Sequence, residues 1–250
     1  MEIALIMAGG RSERMRASFG PQHKALVRVL GLSLLERNLY KLLSHGFSDI
    51  FIATNSHEPE LLAHVAECRQ RLAARGARLE CLKEDAPRGT IGIAHELKGR
   101  AETILVVNVD NLTALNLRHL VEHHLESGAA FTVATHFEPF QIPFGEVILD
   151  DGLITDYREK PVRRICISSG TYVLSARACE LIDPAEPTSV PQLFAALRGR
   201  GERISAFEHA AAWIDVNDAA AVAGAERLIR DHPADFECAD TKSHARASHD

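Results

Sequence analysis

The chain has 250 residues, with 28 Lys and Arg against 34 Asp and Glu, which gives a formal net charge of −6 at pH 7. Hydrophobic residues make up 46% and charged residues 25% of the chain, a balance that excludes disordered, fibrous and membrane-embedded proteins. The acidic balance argues against a nucleic-acid-binding surface, and no apolar run approaches the roughly 20 residues of a membrane span, so we expect a cytoplasmic protein.

The first half of the sequence alternates strand-like and helix-like segments. This alternation predicts an α/β fold with a doubly wound, mostly parallel sheet that helices cover on both faces. The strands are predicted at 3–7, 49–54, 78–83, 103–107 and 131–135, and the helices near 32–45, 58–75, 90–98 and 116–127.

The pattern changes after residue 137 to a mixed α+β half, which we expect to lie against the first sheet. Segments 145–149 and 153–158 flank Asp150-Asp151-Gly152, a hairpin turn signal. Further strands are predicted at 171–175, 203–208 and 211–216, and a helix near 218–230. We therefore expect one domain at 1–230, with halves at about 1–137 and 138–230, followed by a loosely held tail at 231–250.

A glycine-containing loop follows the first strand. In a doubly wound sheet this loop borders the ligand crevice, where Gly9 and Gly10 would let backbone N–H groups approach a phosphate. The loop is neither a Walker loop nor a dinucleotide fingerprint, and a plain turn remains the alternative. A polyphosphate is favoured because basic residues concentrate beside the loop, namely Arg11, Arg14, Arg16 and Lys24.

Two acidic residues emerge from apolar runs. Asp110 follows the strand at 103–107, and Asp215 follows Trp213-Ile214. Brought together, their carboxylates would suit magnesium with a nucleotide phosphate. Asp110 could instead be a helix N-cap, and the charged segment Tyr157–Pro161 alone indicates a solvated hairpin edge.

His119, His123 and His124 form the one tight group of histidines. No third ligand is evident nearby, so a solvated helix face is favoured over a metal site.

Taken together, these motifs resemble the sugar-1-phosphate nucleotidylyltransferases, and the match extends from about residue 3 to about residue 230. Arg14 and Lys24 are ten residues apart, as in that family's signature, whereas molybdopterin-type nucleotidylyltransferases place the Lys closer. The other matching segments are Pro87–Gly92, Asn108–Asp110, Phe144–Val147, Glu159–Pro161, Ser169–Val173 and Trp213–Asp215. The sequence departs from the family pattern at Ser12, Glu13, His23, Val109 and Ser168.

The resemblance implies a role for each matching residue. Arg14 and Lys24 would be catalytic, and Asp110 and Asp215 would hold Mg²⁺. The nucleotide would contact Ala8, Gly9, Gly10, Gly89, Thr90 and Gly92. The sugar phosphate would contact Gly145, Glu159, Lys160, Ser168, Gly170 and Thr171.

The implied reaction joins a nucleoside triphosphate and a sugar 1-phosphate into a nucleotide sugar, with release of pyrophosphate. The form of the Pro87–Gly92 loop is similar to that of mannose- and heptose-phosphate guanylyltransferases, so GTP is favoured, and a homodimer is expected from the resemblance. Two alternatives remain: a cytidylyl- or molybdopterin-type nucleotidylyltransferase, and a catalytically silent regulatory module that binds nucleotide sugars.

Overall fold

The computed structural model of the chain describes residues 2–10, 20 and 22–236. The strands are β1 (Glu2–Met7), β2 (Arg28–Val29), β3 (Leu32–Ser33), β4 (Asp49–Asn55), β5 (Arg78–Glu84), β6 (Thr103–Asn108), β7 (Asn111–Thr113), β8 (Phe131–Gln141), β9 (Glu146–Asp150), β10 (Leu153–Arg158), β11 (Val162–Ser175), β12 (Ile204–Glu208) and β13 (Trp213–Asp215). The α-helices are α1 (Leu34–Ser44), α2 (Pro59–Ala73), α3 (Leu117–Ser127), α4 (Ala176–Glu180), α5 (Val190–Gly199), α6 (Ala219–Asp231) and α7 (Pro233–Phe236). Lys24–Leu26 and Gly92–Leu97 form 3-10 helices.

Seven strands form the central sheet, in the order β12-β8-β11-β6-β1-β4-β5. The strands β6, β1, β4 and β5 run parallel to one another, and β12 runs parallel to β8, whereas β11 is antiparallel to both β6 and β8. The α/β class with a mostly parallel sheet is therefore confirmed. The expectation that the second half lies against the first sheet is wrong, because β8, β11 and β12 extend the same sheet by edge-to-edge pairing.

Helices cover both faces of this sheet because its strands are apolar on both sides. Along β1, Ala4 and Ile6 pack into a cluster with side chains of α1, α2 and α3. Ile3 and Leu5 face the opposite cluster, which includes the 3-10 helix at Gly92–Leu97 and residues of α4 and α5. Burial on two faces explains why the parallel strands read as continuous apolar runs in the sequence.

The start of α1 is fixed by a capping box. The Ser33 hydroxyl accepts a hydrogen bond from the Glu36 backbone N–H, and the Glu36 carboxylate accepts one from the Ser33 N–H at 2.8 Å. Further along, the Asn38 amide donates to the carbonyls of Leu34 and Val109. Since Val109 lies directly after β6, this side chain ties the helix to the end of a central strand.

The hairpin of β9 and β10 turns at Asp151-Gly152, where both residues have positive φ angles of 44° and 79°. Positive φ at both central positions is the geometry that the Asp-Gly signal predicts. The hairpin and the adjoining ends of β8 and β11 form an arm at 137–165, which carries 10 of the 13 exposed large apolar side chains of the described residues.

The segment after residue 230 is partly described. The helix α6 ends at Asp231, and Phe236 in α7 packs against a small cluster that includes Val216 and Ile229. The remainder of the predicted tail, 237–250, lies outside the described residues. Among the helices that are described, none combines the length and the apolar character needed to cross a membrane.

The expectation of a solvated face is wrong for His124, which is buried in α3 with its Nδ1 2.8 Å from Thr132 Oγ1. In the described part of the chain, the three histidines at 119, 123 and 124 do not form a group of potential metal ligands. Burial lowers the pKa of His124 from 6.5 to about 4. Because the unfolded state then binds more protons than the folded state below about pH 6.5, His124 makes the fold less stable as the pH falls toward 4.

We expect that His124→Asn, which retains an acceptor near the Nδ1 position, reduces the loss of stability on acidification. Between about pH 7.5 and about pH 5, the wild-type protein should lose on the order of 2 kcal/mol more unfolding free energy than the variant. Urea unfolding at both pH values measures this difference. Equal losses in the two proteins would show that His124 does not contribute to the acid sensitivity.

Candidate active site

A cleft of about 450 Å³ opens at the carboxyl edge of the central strands. This is the edge at which doubly wound sheets bind ligands. The cleft is lined by Met7, Gly9, Gly10, Lys24, Glu84, Pro87, Gly89, Thr90, Asn108 and Asp110. Six of the predicted site residues are therefore brought together, four on the predicted nucleotide surface and two that the resemblance makes catalytic or metal-binding.

The register of two parallel strands brings the glycine loop and the Asp110 segment together. Met7 is the partner of Asn108 in the pairing of β1 with β6. Beyond the strands, the Val109 N–H donates to the Met7 carbonyl at 3.2 Å, and the Ala8 N–H donates to Ala53 at 3.0 Å. Ala8 is itself fully buried, so its side chain packs in the core under the loop and is not among the residues that line the cleft.

Lys24 contacts Asp110 directly. Its Nζ lies 2.7 Å from Asp110 Oδ2, and the two side chains are 15% and 19% exposed. Lys24 opens a short 3-10 helix, where His23 caps the chain by accepting from the Ala25 N–H through Nδ1. A Cβ at Gly10 would lie 3.6 Å from Lys24 Nζ, so the ammonium also borders the glycine loop. Arg14, predicted beside it, lies outside the described residues.

Glu84 places a buried carboxylate in the same cleft. It is the last residue of β5 and only 4% exposed, and its Oε1 has no hydrogen-bond partner among the described residues. Burial raises the pKa of Glu84, while a hydrogen bond from the Arg88 backbone opposes that rise. A Cβ on Gly9 would overlap Glu84 Oε2, so the glycine loop passes directly over this carboxylate.

Glu84 is not among the site residues predicted from the sequence. The available signal was its position, because an acidic residue ends a parallel strand here just as Asp110 follows one. In the sequence, however, Glu84 is one of two consecutive acids and resembles ordinary loop polarity.

Two glycines of the Pro87–Gly92 loop, Gly89 and Gly92, pack closely against Thr188. Gly89 has a φ of 77°, and a Cβ there would lie 2.5 Å from the Thr188 carbonyl oxygen. The Thr188 N–H donates to the Arg88 carbonyl, and the Val190 N–H donates to Thr90 Oγ1 at 3.1 Å. These contacts hold the loop against the start of α5. Gly92, packed close to Thr188, begins the following 3-10 helix.

The two predicted magnesium ligands lie on adjoining segments. Asp215 in β13 is the register partner of Asn111 in β7, and the Val216 N–H donates to the Asp110 carbonyl at 2.8 Å. Asp215 Oδ2 accepts from the Asn217 amide at 3.0 Å. Carboxylate oxygens are the donors that Mg²⁺ prefers, so the chemistry of these two side chains suits the ion, and of the two only Asp110 is among the residues that line the cleft.

Three residues of the predicted sugar-phosphate surface lie where β11 passes β6. The register of β11 shifts between Ser168 and Tyr172, which leaves Gly170 in a bulge with φ of 67°. A Cβ at Gly170 would overlap the Asn111 amide and lie 2.8 Å from Asn108 Nδ2. Thr171 is buried within the sheet, and Ser168 Oγ donates to the Tyr172 hydroxyl at 3.1 Å. The bulge therefore packs directly on the residues that follow β6.

The other three predicted sugar-side residues lie on the exposed arm, and none of the six is among the residues that line the cleft. Glu159 and Lys160 are exposed at the end of β10, and Lys160 has a positive φ of 43°. Gly145 packs against Tyr157, and a Cβ at position 145 would overlap the Tyr157 hydroxyl.

Comparisons with known proteins are consistent with this architecture. The family model described as nucleotidyl transferase matches residues 3–232. A mannose-1-phosphate guanyltransferase of Pichia angusta is 27% identical over 85% of this chain, and the chain spans 60% of the length of that curated relative. The crystal structure of HddC from Yersinia pseudotuberculosis matches with a TM-score of 0.71 and 21% identity over 91% of this chain and 99% of that one. The same protein complexed with GMP-PN matches with a TM-score of 0.69 and 21% identity, over the same shares of both chains.

We expect Gly9→Ala to lower the unfolding free energy by about 1–2 kcal/mol, because the added methyl group displaces the buried Glu84 carboxylate. Gly10→Ala is the matched control, since its methyl group would meet only Lys24 at ordinary contact distance. Chemical denaturation measures both variants. In the background of Glu84→Ala the cost of Gly9→Ala should shrink, and an unchanged cost would exclude the overlap with Glu84 as its cause.

Proposed function

Since the chain belongs to the nucleotidyl transferase family, whose model matches residues 3–232, we propose that it transfers a nucleoside monophosphate from a triphosphate to a sugar 1-phosphate and releases pyrophosphate. The observation that carries this proposal is the meeting of Lys24, Asp110 and the glycine loop in one cleft. The names of its curated relatives, mannose-1-phosphate guanyltransferases, support the same reaction.

In this reaction a phosphate oxygen of the sugar 1-phosphate attacks the α-phosphorus of the triphosphate. The bond from that phosphorus to the bridging oxygen breaks, and pyrophosphate leaves. A phosphate monoester has a second pKa of about 6, so the nucleophile is already ionised near neutral pH and needs no general base. The protein must therefore position two anions and neutralise their charge.

Lys24 is suited to that task because it is a point charge at the border of the glycine loop. Its ammonium neutralises Asp110, and an incoming phosphate would compete with that carboxylate for it. We assign Lys24 to the α-phosphate and the incoming phosphate, and Arg14 to the triphosphate and the departing pyrophosphate.

Asp110 and Asp215 are the proposed magnesium ligands. When bound there, the ion would neutralise phosphate charge. The pairing of β7 with β13 holds Asp215 opposite Asn111, the residue after Asp110, and the Val216 N–H donates to the Asp110 carbonyl.

For the acceptor we assign Lys160 to the sugar phosphate and Glu159 to a sugar hydroxyl. Ser168, Gly170 and Thr171 would contact the sugar phosphate from the bulge of β11, and Gly145 from the arm. Neither the arm residues nor those of the bulge are among the residues that line the cleft, so the proposed acceptor surface adjoins the cleft through the contacts of Gly170 with Asn108 and Asn111.

Glu84 supports GTP as the preferred nucleotide. Its carboxylate has an unpaired oxygen in the cleft, next to the glycine loop. Guanine presents two neighbouring N–H donors on its Watson–Crick edge, which an ionised carboxylate can accept together. Uracil and thymine present one donor between two carbonyl acceptors, and those oxygens would face the carboxylate. The HddC complex with GMP-PN is a guanine nucleotide bound to a protein of the same fold.

A pyrophosphate-release assay with magnesium tests the proposal. It crosses GTP, CTP, UTP, dTTP and ATP against hexose, heptose and cyclitol 1-phosphates. We expect release with GTP and one class of sugar phosphate. Release with CTP alone would favour the cytidylyltransferase alternative. Binding of a nucleotide sugar without any release would favour the regulatory module.

Lys24→Ala should lower kcat/KM by about 10²–10³-fold, because it removes a preorganised charge at the reacting phosphates. Lys83→Ala is the control, since Lys83 is exposed on β5 and its loss should change kcat/KM less than about twofold. Circular dichroism checks that both variants are folded. Wild-type turnover in folded Lys24→Ala would remove Lys24 from the catalytic assignment.

Glu84→Gln should raise the KM for GTP by at least about tenfold, because the amide places an N–H against one of the guanine donors. The same variant should gain activity with UTP or dTTP, whose carbonyl can accept from that amide. Glu80→Gln on the same strand, where Glu80 pairs with Arg78 and Arg100, is the matched control. An unchanged ratio of GTP to UTP activity in Glu84→Gln would show that Glu84 does not read the base.

A further inference from the structure

Four polar side chains form a hydrogen-bonded chain around Ser169, within the bulge of β11. Ser169 Oγ lies 2.8 Å from His136 Nδ1 and 2.7 Å from His209 Nε2. On the far side of its ring, His136 Nε2 lies 3.0 Å from Glu138 Oε1. Ser169 and His136 are both buried, at 1% and 6% exposure. Sequence alone gives no signal for this cluster, because its members come from β8, β11 and the segment after β12.

The chain has one favoured direction. The carboxylate of Glu138 can only accept, so a neutral His136 carries its proton on Nε2 and accepts from the Ser169 hydroxyl through Nδ1. That hydroxyl has one proton, so it must accept from His209, which donates through Nε2.

The remaining nitrogen agrees with this assignment. His209 Nδ1 is then unprotonated, and it is the buried nitrogen that has no hydrogen-bond partner among the described residues. Reversing the chain would turn a lone pair of His136 toward the carboxylate and leave an N–H of His209 buried without an acceptor, which is the costlier arrangement.

The same residue is also held through its backbone. The Ser169 carbonyl accepts from the Asn111 amide at 2.7 Å and from the Trp213 indole N–H at 2.9 Å. The ring of His136 packs against Trp213, with centroids 4.6 Å apart. Ser169 is thus fixed at both its hydroxyl and its carbonyl, immediately before Gly170.

The residue after Ser169, Gly170, belongs to the proposed acceptor surface, so the contacts that hold Ser169 also hold that surface. Gly170 packs on the amides of Asn111 and Asn108, and Asn111 directly follows Asp110. Glu138, His136 and His209 do not line the cleft themselves. These residues contact the proposed acceptor surface through Ser169 and the bulge, and His136 also packs against Trp213 of β13.

We infer that His136, oriented by Glu138 and supported by His209, is a positioning residue that fixes the Ser168–Thr171 bulge for binding of the sugar 1-phosphate. This inference rests on the proposed function. It predicts an effect on the acceptor that the triphosphate does not share, because the triphosphate side of the cleft is held by β1, Lys24 and Glu84.

The test compares His136→Phe with His136→Asn. Phenylalanine keeps the ring against Trp213 but leaves Ser169 without its acceptor, whereas the asparagine oxygen can accept near the Nδ1 position. We expect His136→Phe to raise the KM for the sugar 1-phosphate by about tenfold and to change the KM for the triphosphate by less than about twofold. His136→Asn should recover most of the acceptor affinity.

His124→Phe is the matched control. The Nδ1 atom of His124 makes a buried contact of the same length, 2.8 Å, with the hydroxyl of Thr132, which lies on β8 but away from the bulge. This variant should leave both KM values unchanged. Three results would each overturn the inference and leave His136 with a purely structural role. They are equal increases in both KM values for His136→Phe, no recovery of acceptor affinity in His136→Asn, and the same increase in the acceptor KM for His124→Phe.

Nitrogen-15 NMR of the histidine rings tests the direction of the chain without any substrate. We expect the Nε2–H tautomer for both His136 and His209, and the opposite tautomer at either ring would overturn the directed chain. A wild-type protein that releases no pyrophosphate with any substrate pair would refute the proposed function. An active wild type without the KM split would refute only the positioning role.

Discussion

The parallel register of β1 with β6 is the constraint on which the rest of the site depends. Because Met7 is paired with Asn108, the glycine loop and the Asp110 segment leave the sheet side by side. The ammonium of Lys24 borders both segments, with Nζ 2.7 Å from Asp110 Oδ2 and close to Gly10, and the next residue, Ala25, is buried in the core. A register shift of a single residue would exchange the side chains of β1 between the two core clusters and separate Met7 from Asn108, so the fold and the site depend on the same pairing.

Much of this architecture could be predicted from the sequence because the pattern is strong where strands are buried on both faces. The apolar runs at β1, β4 and β6 were assigned correctly to within two residues. The prediction failed at β11, which begins at Val162 rather than near 171, because its outer half is exposed on the arm and carries little apolar periodicity. It also placed the second half against the sheet, since a sequence pattern does not indicate which sheet edge a later strand will join.

The site was predictable only in part, because some of its residues are brought together only by strand pairing. Lys24 and Asp110 follow recognisable motifs, and the structure places them in contact. In the sequence, Glu84 looks like an ordinary polar surface residue. Its position at the carboxyl edge of the sheet follows only from the pairing of β4 with β5. The cluster around Ser169 depends on pairings of β11 with β8 and of β12 with β8, so its members are brought together only by the assembled sheet. The predicted roles of Arg14 and of the arm residues Gly145, Glu159 and Lys160 remain predictions.

The hairpin of β9 and β10 forms a two-stranded ladder of its own, and its strands make no pairs with the seven-stranded sheet in the described part of the chain. Changes in its length or sequence therefore leave the register of the central strands intact. In the proposed function, the acceptor contacts of the arm would vary by exchange of one short ribbon, while the residues that line the cleft keep their positions at the carboxyl edge of the sheet. The part of the acceptor surface on the arm would then be separate from the proposed phosphate-handling residues.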